Sequence, residues 1–193
     1  MQSKKIGRTR KLVECAILIA IASVLSIIKI IEMPYGGSVT LASMLPIVVI
    51  CVAYGPAWGF AASFVYSVIQ FAQDGFALSW GLTGGVWVVC AVFDYFLPFT
   101  LLGTSGLFRR KGTVGVVGGV CLAMVLRFAC HFISGYTIWR SNAADAGFTS
   151  PALYSLVYNG SFMLPELIVT AVIAGLLFKS KQIKKLLSSD LIA

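Results

Sequence analysis

Asp94, Arg127, His131 and Glu166 stand inside stretches otherwise apolar enough to be embedded in a membrane. A bilayer penalises such groups, so an ionisable side chain at that depth is a functional-site hypothesis by default. Around them lie Tyr66, Tyr95, Trp139, Tyr154 and Asn159. A buried carboxylate such as Asp94 holds a cation. Aromatic faces attract cations within about 6 Å of the ring centroid, the more strongly when water is excluded. Planar heteroaromatic rings stack on Trp, Tyr and His, and an Asn amide offers both donor and acceptor to a ring edge. The ligand that matches this set is small, planar, cationic and rich in nitrogen.

The elements that must position these residues follow from composition. Of 193 residues, 59% are hydrophobic and only 11% charged, against roughly 25% charged in a soluble domain. Apolar runs of about 20 residues, the length that crosses a bilayer, recur along the chain. The net charge of +8 is a topology signal and not a nucleic-acid footprint. Lys4, Lys5, Arg8, Arg10 and Lys11 precede the first apolar run, Arg109–Lys111 separate two runs, and Lys179, Lys181, Lys184 and Lys185 follow the last. That is the pattern of basic cytoplasmic loops. Cys15, Cys51, Cys90, Cys121 and Cys130 lie in apolar stretches without CxxC spacing, so neither a metal site nor a disulfide framework is expected.

The reading is an all-α integral membrane protein, a single domain over 1–193 with both termini cytoplasmic. Its six transmembrane helices fall at about 12–31, 41–53, 57–73, 84–107, 114–138 and 151–178. The first run is a retained span, since it lacks a small-residue cleavage site. Glu32–Pro46 contains Pro34, Gly36 and Gly37 and should be an ordered outer loop leading into the short second span. Ala53–Pro56 is a tight cytoplasmic turn, and Asp74–Gly81 is a second outer loop. Pro98 should kink the fourth span. Gly55, Gly59, Ser63 and Ser67 give the third span a small-residue packing face, and Ala16, Ala20, Ser23 and Ser26 give the first another.

Helix rise then converts position to depth. At 1.5 Å per residue, Tyr66 lies roughly 10 Å from the outer end of its span, His131 roughly 12 Å, Asn159 roughly 13 Å and Asp94 roughly 15 Å. Four polar residues from four spans thus share one depth. The expectation is an outward-facing pocket with Trp139 and Tyr154 at its mouth and Asp94 at its floor. Each residue has a plainer reading as well. Asp94 would equally neutralise Arg127, His131 would equally be a satisfied packing group, and Trp139 would equally be an interfacial anchor. Arg127 and Glu166 lie deeper and read as support beneath the pocket. Tyr35, Tyr136 and Tyr158 read as anchors or packing residues, and Glu14 as a partner of the basic lead-in. Tyr154 and Asn159, about 140° apart on a helix, reach one ligand only if Tyr154 acts from the first turn.

Taken in order, the segments MPYGGSVTLASMLPI, FDYFLPFTLLGTSGLFRRK, RFACHFISG and LYSLVYNGSFMLPE resemble the ThiT family. These are the thiamine-specific substrate-binding subunits (S-components) of energy-coupling factor (ECF) transporters in Gram-positive bacteria. The resemblance covers Leu12 to about Phe178. It implies a six-helix S-component of the cell membrane that binds thiamine near the outer face with high affinity. It also implies docking on an energising module made of an ECF transmembrane coupling protein and two ECF ATPases. The family's acidic residue before a Tyr falls on Asp94, with Tyr95 beside it. The His of HFxxG falls on His131 and the Trp ending that helix on Trp139. The Tyr and Asn of YSLxxNG fall on Tyr154 and Asn159, and an aromatic of the third helix falls on Tyr66. Ala16 and Ala20 resemble the family's AxxxA docking motif. Some members carry Glu in place of Asp94 and Trp in place of Tyr66.

The expectation for function is therefore a thiamine-capturing subunit without a cofactor, catalytic residue or nucleic-acid partner. The chain has no GxxxxGKS/T phosphate loop, so ATP energy must come from a partner. An S-component for another vitamin or vitamin precursor is the neighbouring alternative. An anionic vitamin would want basic residues in the outer half, where only Arg127 and Arg140 stand. An intramembrane enzyme using Asp94, His131 and Glu166 is the remote one, since neither HExxH nor paired Asp is present.

Overall fold

The computed structural model describes residues 7–74, 81–82 and 84–183. Most of the expected loop Asp74–Gly81 lies outside the described residues, as do Lys4, Lys5, Lys184 and Lys185. The chain runs α1 (Arg8–Ile27), β1 (Lys29–Glu32), β2 (Ser38–Thr40), α2 (Leu45–Tyr54), α3 (Pro56–Asp74) and α4 (Gly84–Cys90). A π-helical segment (Ala91–Phe96), α5 (Leu97–Thr100) and a 3-10 segment (Leu101–Gly106) continue α4 as one rod. Then come α6 (Gly112–Thr137), the short α7 (Asn142–Asp145) and α8 (Pro151–Lys179).

Among the described residues three rods are long and apolar enough to cross a membrane: Gly84–Gly106, Arg109–Thr137 and Pro151–Lys179. α1 has 20 residues, but its first two turns carry Arg8, Arg10, Lys11 and Glu14. α2 has 10 residues, about 15 Å of helix and half of a hydrocarbon core of about 30 Å.

The first outer loop differs from the sequence reading. α1 stops at Ile27, four residues short of the expected 31, and α2 starts at Leu45 rather than 41. Between them β1 and β2 form an antiparallel hairpin with Lys29 opposite Thr40 and Glu32 opposite Ser38. The β-branched run Ile27, Ile28, Ile30 and Ile31 suits a strand better than a helix end. Pro34 pre-sets the turn after Met33, where the Gly36 amide donates to the Met33 carbonyl at 3.3 Å. Gly36 and Gly37 then take φ +90° and +86°, open to glycine and strained for other residues.

The fourth rod is irregular where Pro98 acts on it. Proline brings no N–H, so the Asp94 carbonyl loses its partner four residues on. The helix answers with a π turn in which the Leu97 amide reaches back five residues to Val92. Asp94 sits inside that turn, and π turns of this kind recur at functional sites.

Away from the hairpin the backbones close on one another. α2 is the buried centre, with Ile47, Val48, Ile50 and Cys51 at most 1% exposed. The expected small-residue face of α3 packs here: Gly59, Ser63 and Ser67 are buried, and a Cβ on Gly59 would stand 2.8 Å from Cys51 Sγ. A Cβ on Gly106 would meet the Cys51 carbonyl oxygen at 2.5 Å, and one on Gly119 of α6 would collide with the Ser105 carbonyl oxygen. Arg109 Nη1 donates to the carbonyls of Val52 and Ala53, each at 3.1 Å, and so caps α2. Glu14 meets the basic lead-in as expected, accepting from Arg10 Nε at 2.6 Å, and it also accepts from the Tyr54 hydroxyl. Large apolar side chains face outward along α1, α3, α6 and α8, among them Ile17, Val24, Phe64, Val125 and Leu176.

Candidate functional site

Beside the hairpin the helices part around a cavity of about 700 Å³, within the range of small-molecule sites. The π turn, α6, α8 and the hairpin supply most of its wall. Asp94, Tyr95, His131, Trp139, Tyr154 and Asn159 all line it.

Asp94 is the most thoroughly engaged group. Its Oδ2 accepts from Ser134 Oγ at 2.6 Å, Trp139 Nε1 at 2.9 Å and Cys90 Sγ at 3.3 Å. Its Oδ1 lies 3.3 Å from His131 Nδ1. These donors hold the carboxylate as an anion facing the cavity. No lysine or arginine pairs with it among the described residues. The reading of Asp94 as a neutraliser of Arg127 is therefore not what the structure shows. Arg127 instead places its guanidinium 4.3 Å over the Phe99 ring and donates from Nη1 to Met44 Sδ at 2.7 Å.

His131 and Asn159 meet across the α6–α8 contact. Asn159 Nδ2 donates to the His131 carbonyl at 3.2 Å and to Ser155 O at 2.9 Å, so the amide oxygen is left for the cavity. Gly135 makes that approach possible: a Cβ there would collide with Ser155 Oγ and stand 3.0 Å from Asn159 Nδ2. Tyr154 acts from the first turn of α8, the condition under which it and Asn159 share a ligand. The helix starts cleanly there, Pro151 at its first position and Ser150 Oγ accepting from the Leu153 amide at 3.4 Å.

An aromatic cage completes the wall, and it includes Tyr35 and Tyr158, which the sequence suggests as anchors or packing residues. Tyr154 stacks on Tyr158 with centroids 5.3 Å apart, and Tyr35 packs against both at 6.4 and 5.8 Å. Tyr35 and Tyr158 both line the cavity. Tyr158 Oη donates to the Gly36 carbonyl at 2.9 Å and accepts from the Tyr35 amide at 2.7 Å. The signal available in the sequence was Tyr158 four residues after Tyr154 on one helix face.

Tyr66 requires a correction. It is fully buried and lines no part of the cavity. Its ring packs edge-on against Phe99 at 5.5 Å, so it stands one layer behind the wall. α3 reaches the cavity through Gln70 and Asp74, one and two turns further on. Glu166 is 2% exposed and accepts from the Thr40 amide and from Thr40 Oγ1, each at 2.7 Å. Ala16 and Ala20 both lie exposed on α1, pointing away from the bundle.

The fold and this cavity define a multi-pass helical membrane protein that encloses a space for a small, cation-compatible solute. Residues 12–186 match the family described as thiamine transporter protein, and the chain belongs to that family. The thiamine transporter ThiT of Bacillus subtilis (strain 168) is 33% identical, with 98% of each chain covered. A solved structure of ThiT from Listeria monocytogenes superposes with a TM-score of 0.73 at 24% identity, covering 91% of this chain and 96% of that one.

Proposed function

We propose that this protein is the thiamine-capturing S-component of an ECF-type importer in a bacterial cell membrane, with six spans and both termini cytoplasmic. The observation that carries the reading is the Asp94 carboxylate, held by hydrogen-bond donors, unpaired with any lysine or arginine among the described residues and set among aromatic rings. Thiamine carries a permanent thiazolium charge, for which a buried anion and ring faces are the matching partners. In this reading Asp94 and the aromatic faces that line the cavity take the thiazolium. His131 orients Asp94, and Asn159 Oδ1 with the Tyr154 hydroxyl takes the aminopyrimidine edge. Tyr66 supports the wall through Phe99. Asp94 is a short carboxylate carried on the π turn.

The subunit performs no chemistry of its own. ATP is used by the two partner ATPases, and the exposed Ala16–Ala20 face of α1 is where the coupling protein docks, because small residues let helices approach closely in lipid. The test of the ligand is mass spectrometry of the molecule that co-purifies with the protein, followed by tryptophan quenching on adding thiamine. Thiamine released and rebound supports the reading, and a different vitamin or no ligand overturns it. For docking, Ala16→Trp is expected to leave thiamine binding intact while uptake by the assembled transporter is lost. Loss of binding instead would make α1 a core helix.

A further inference from the structure

Two buried ionisable residues of the cavity wall take no part of the ligand in the reading above, and both touch the same stretch of chain. Glu166 holds Thr40 at the inner end of the hairpin, and Arg127 reaches Met44 at the entrance to α2. The contacts of α8 form a series. Tyr158, Phe162 and Glu166 recur every four residues along one stripe. Tyr158 bonds the hairpin tip at Tyr35 and Gly36, the Phe162 ring lies against Gly37, where a Cβ would come within 2.7 Å, and Glu166 bonds Thr40. Tyr154 heads the same stripe, and all four of its residues line the cavity together with Asn159.

The outer strand β1 is exposed at every position, so little packing of its own holds the hairpin over the cavity. Its register rests on the inner strand, where Val39 and Thr40 are buried. A carboxylate accepting from a backbone N–H and a hydroxyl makes two charge-assisted bonds, the stronger kind. Leaving those donors unpaired in an apolar interior is costly.

We propose that Glu166 is a positioning residue which, through Thr40, holds the hairpin closed over the cavity and thereby sets how fast a bound ligand leaves. Glu166 lines the cavity, and its hydrogen bonds go to Thr40. Arg127, seated on Phe99 and Met44, fixes the far end of the same loop. The inference rests on the thiamine reading only for its kinetic probe.

The experiment uses the full chain in detergent with Glu166→Leu, Glu166→Gln and Thr40→Val. Without ligand, hydrogen exchange across residues 29–40 is expected to rise by about tenfold in Glu166→Leu, the ratio that about 1.4 kcal/mol of lost closure produces. Glu166→Gln should fall between Leu and the parent, because its amide can still accept from the Thr40 N–H while donating to Oγ1. Thr40→Val, which keeps Glu166, should raise exchange by about threefold and carries the test should Glu166→Leu fail to fold. With thiamine, the dissociation rate should rise in the same order while the association rate changes less than about twofold. Unchanged hairpin exchange overturns the proposal, as does faster exchange with unchanged release. A parent protein that does not bind thiamine sinks the ligand reading alone, and the exchange measurement then decides this one.

Discussion

The two ends of the helical bundle are built from the same apolar alphabet and do opposite things. At the end containing Gly59, Gly106 and Gly119, missing side chains let the elements approach so closely that a Cβ would collide. At the hairpin end Tyr35, Trp139, Tyr154, Tyr158 and Phe162 keep the helices apart around 700 Å³. α6 shows the contrast within one helix. Gly119 presses on the Ser105 carbonyl, whereas Gly135, four turns on, presses on the side chains of Ser155 and Asn159. One glycine closes a scaffold and the other seats a cavity residue. Small residues zip the frame, and large amphipathic ones hold the site open against it.

Substitutions at the two ends should therefore separate affinity from stability. The largest effect is expected from Asp94→Asn. Removing one partner of a buried charge interaction costs about 3–5 kcal/mol, so thiamine affinity measured by calorimetry should fall by roughly 100-fold or more. An affinity near that of the parent would take Asp94 out of the site and erase the distinction between the ends. Next comes Gly135→Ala, whose Cβ must displace Ser155 and Asn159; a loss of about tenfold in affinity is expected, with a lowered melting temperature.

Gly119→Ala is the matched control. Overpacking against backbone costs about 1–3 kcal/mol, so melting of the ligand-free protein should drop while the folded fraction binds thiamine within about threefold of the parent. Equal losses of affinity at Gly119 and Gly135 would mean the bundle responds as one unit. The smallest effect belongs to Tyr66→Phe. The Tyr66 hydroxyl is buried with no hydrogen-bond partner among the described residues, and deleting such a group is nearly neutral or mildly stabilising. Binding titrations should agree within about twofold; a large loss would return Tyr66 to the ligand.

How much of this was legible beforehand depended on the kind of information each residue carries. Asp94, His131, Trp139, Tyr154 and Asn159 were brought together by depth alone, because a helix is a rod of fixed rise. Tyr66 shared that depth and missed the cavity. Depth within a span does not say how far down a helix the cavity reaches: Tyr66 and Gln70 share one face of α3, and the cavity meets that face one turn further out, at Gln70 and Asp74, while Phe99 packs on Tyr66. The hairpin is legible in the sequence only as an ordered loop, because its signals, Pro34 and two glycines, mark a turn without saying which strands flank it. Tyr35 and Tyr158 were undervalued for a related reason: they meet across 123 residues of chain.

Some properties followed from the residues themselves. Apolar length, basic flanks and small-residue spacing dictate a helical membrane protein with a polar cluster near one end, since a bilayer tolerates little else. What tertiary structure alone decided is which polar groups partner which. Glu166 meets Thr40 across 126 residues, Arg127 meets Met44 across 83, and Asp94 takes Ser134 and Trp139 in place of Arg127. The physical reason is that buried hydrogen bonds are settled by rotation and approach of whole helices to within a few tenths of an ångström, which no local pattern of residues encodes.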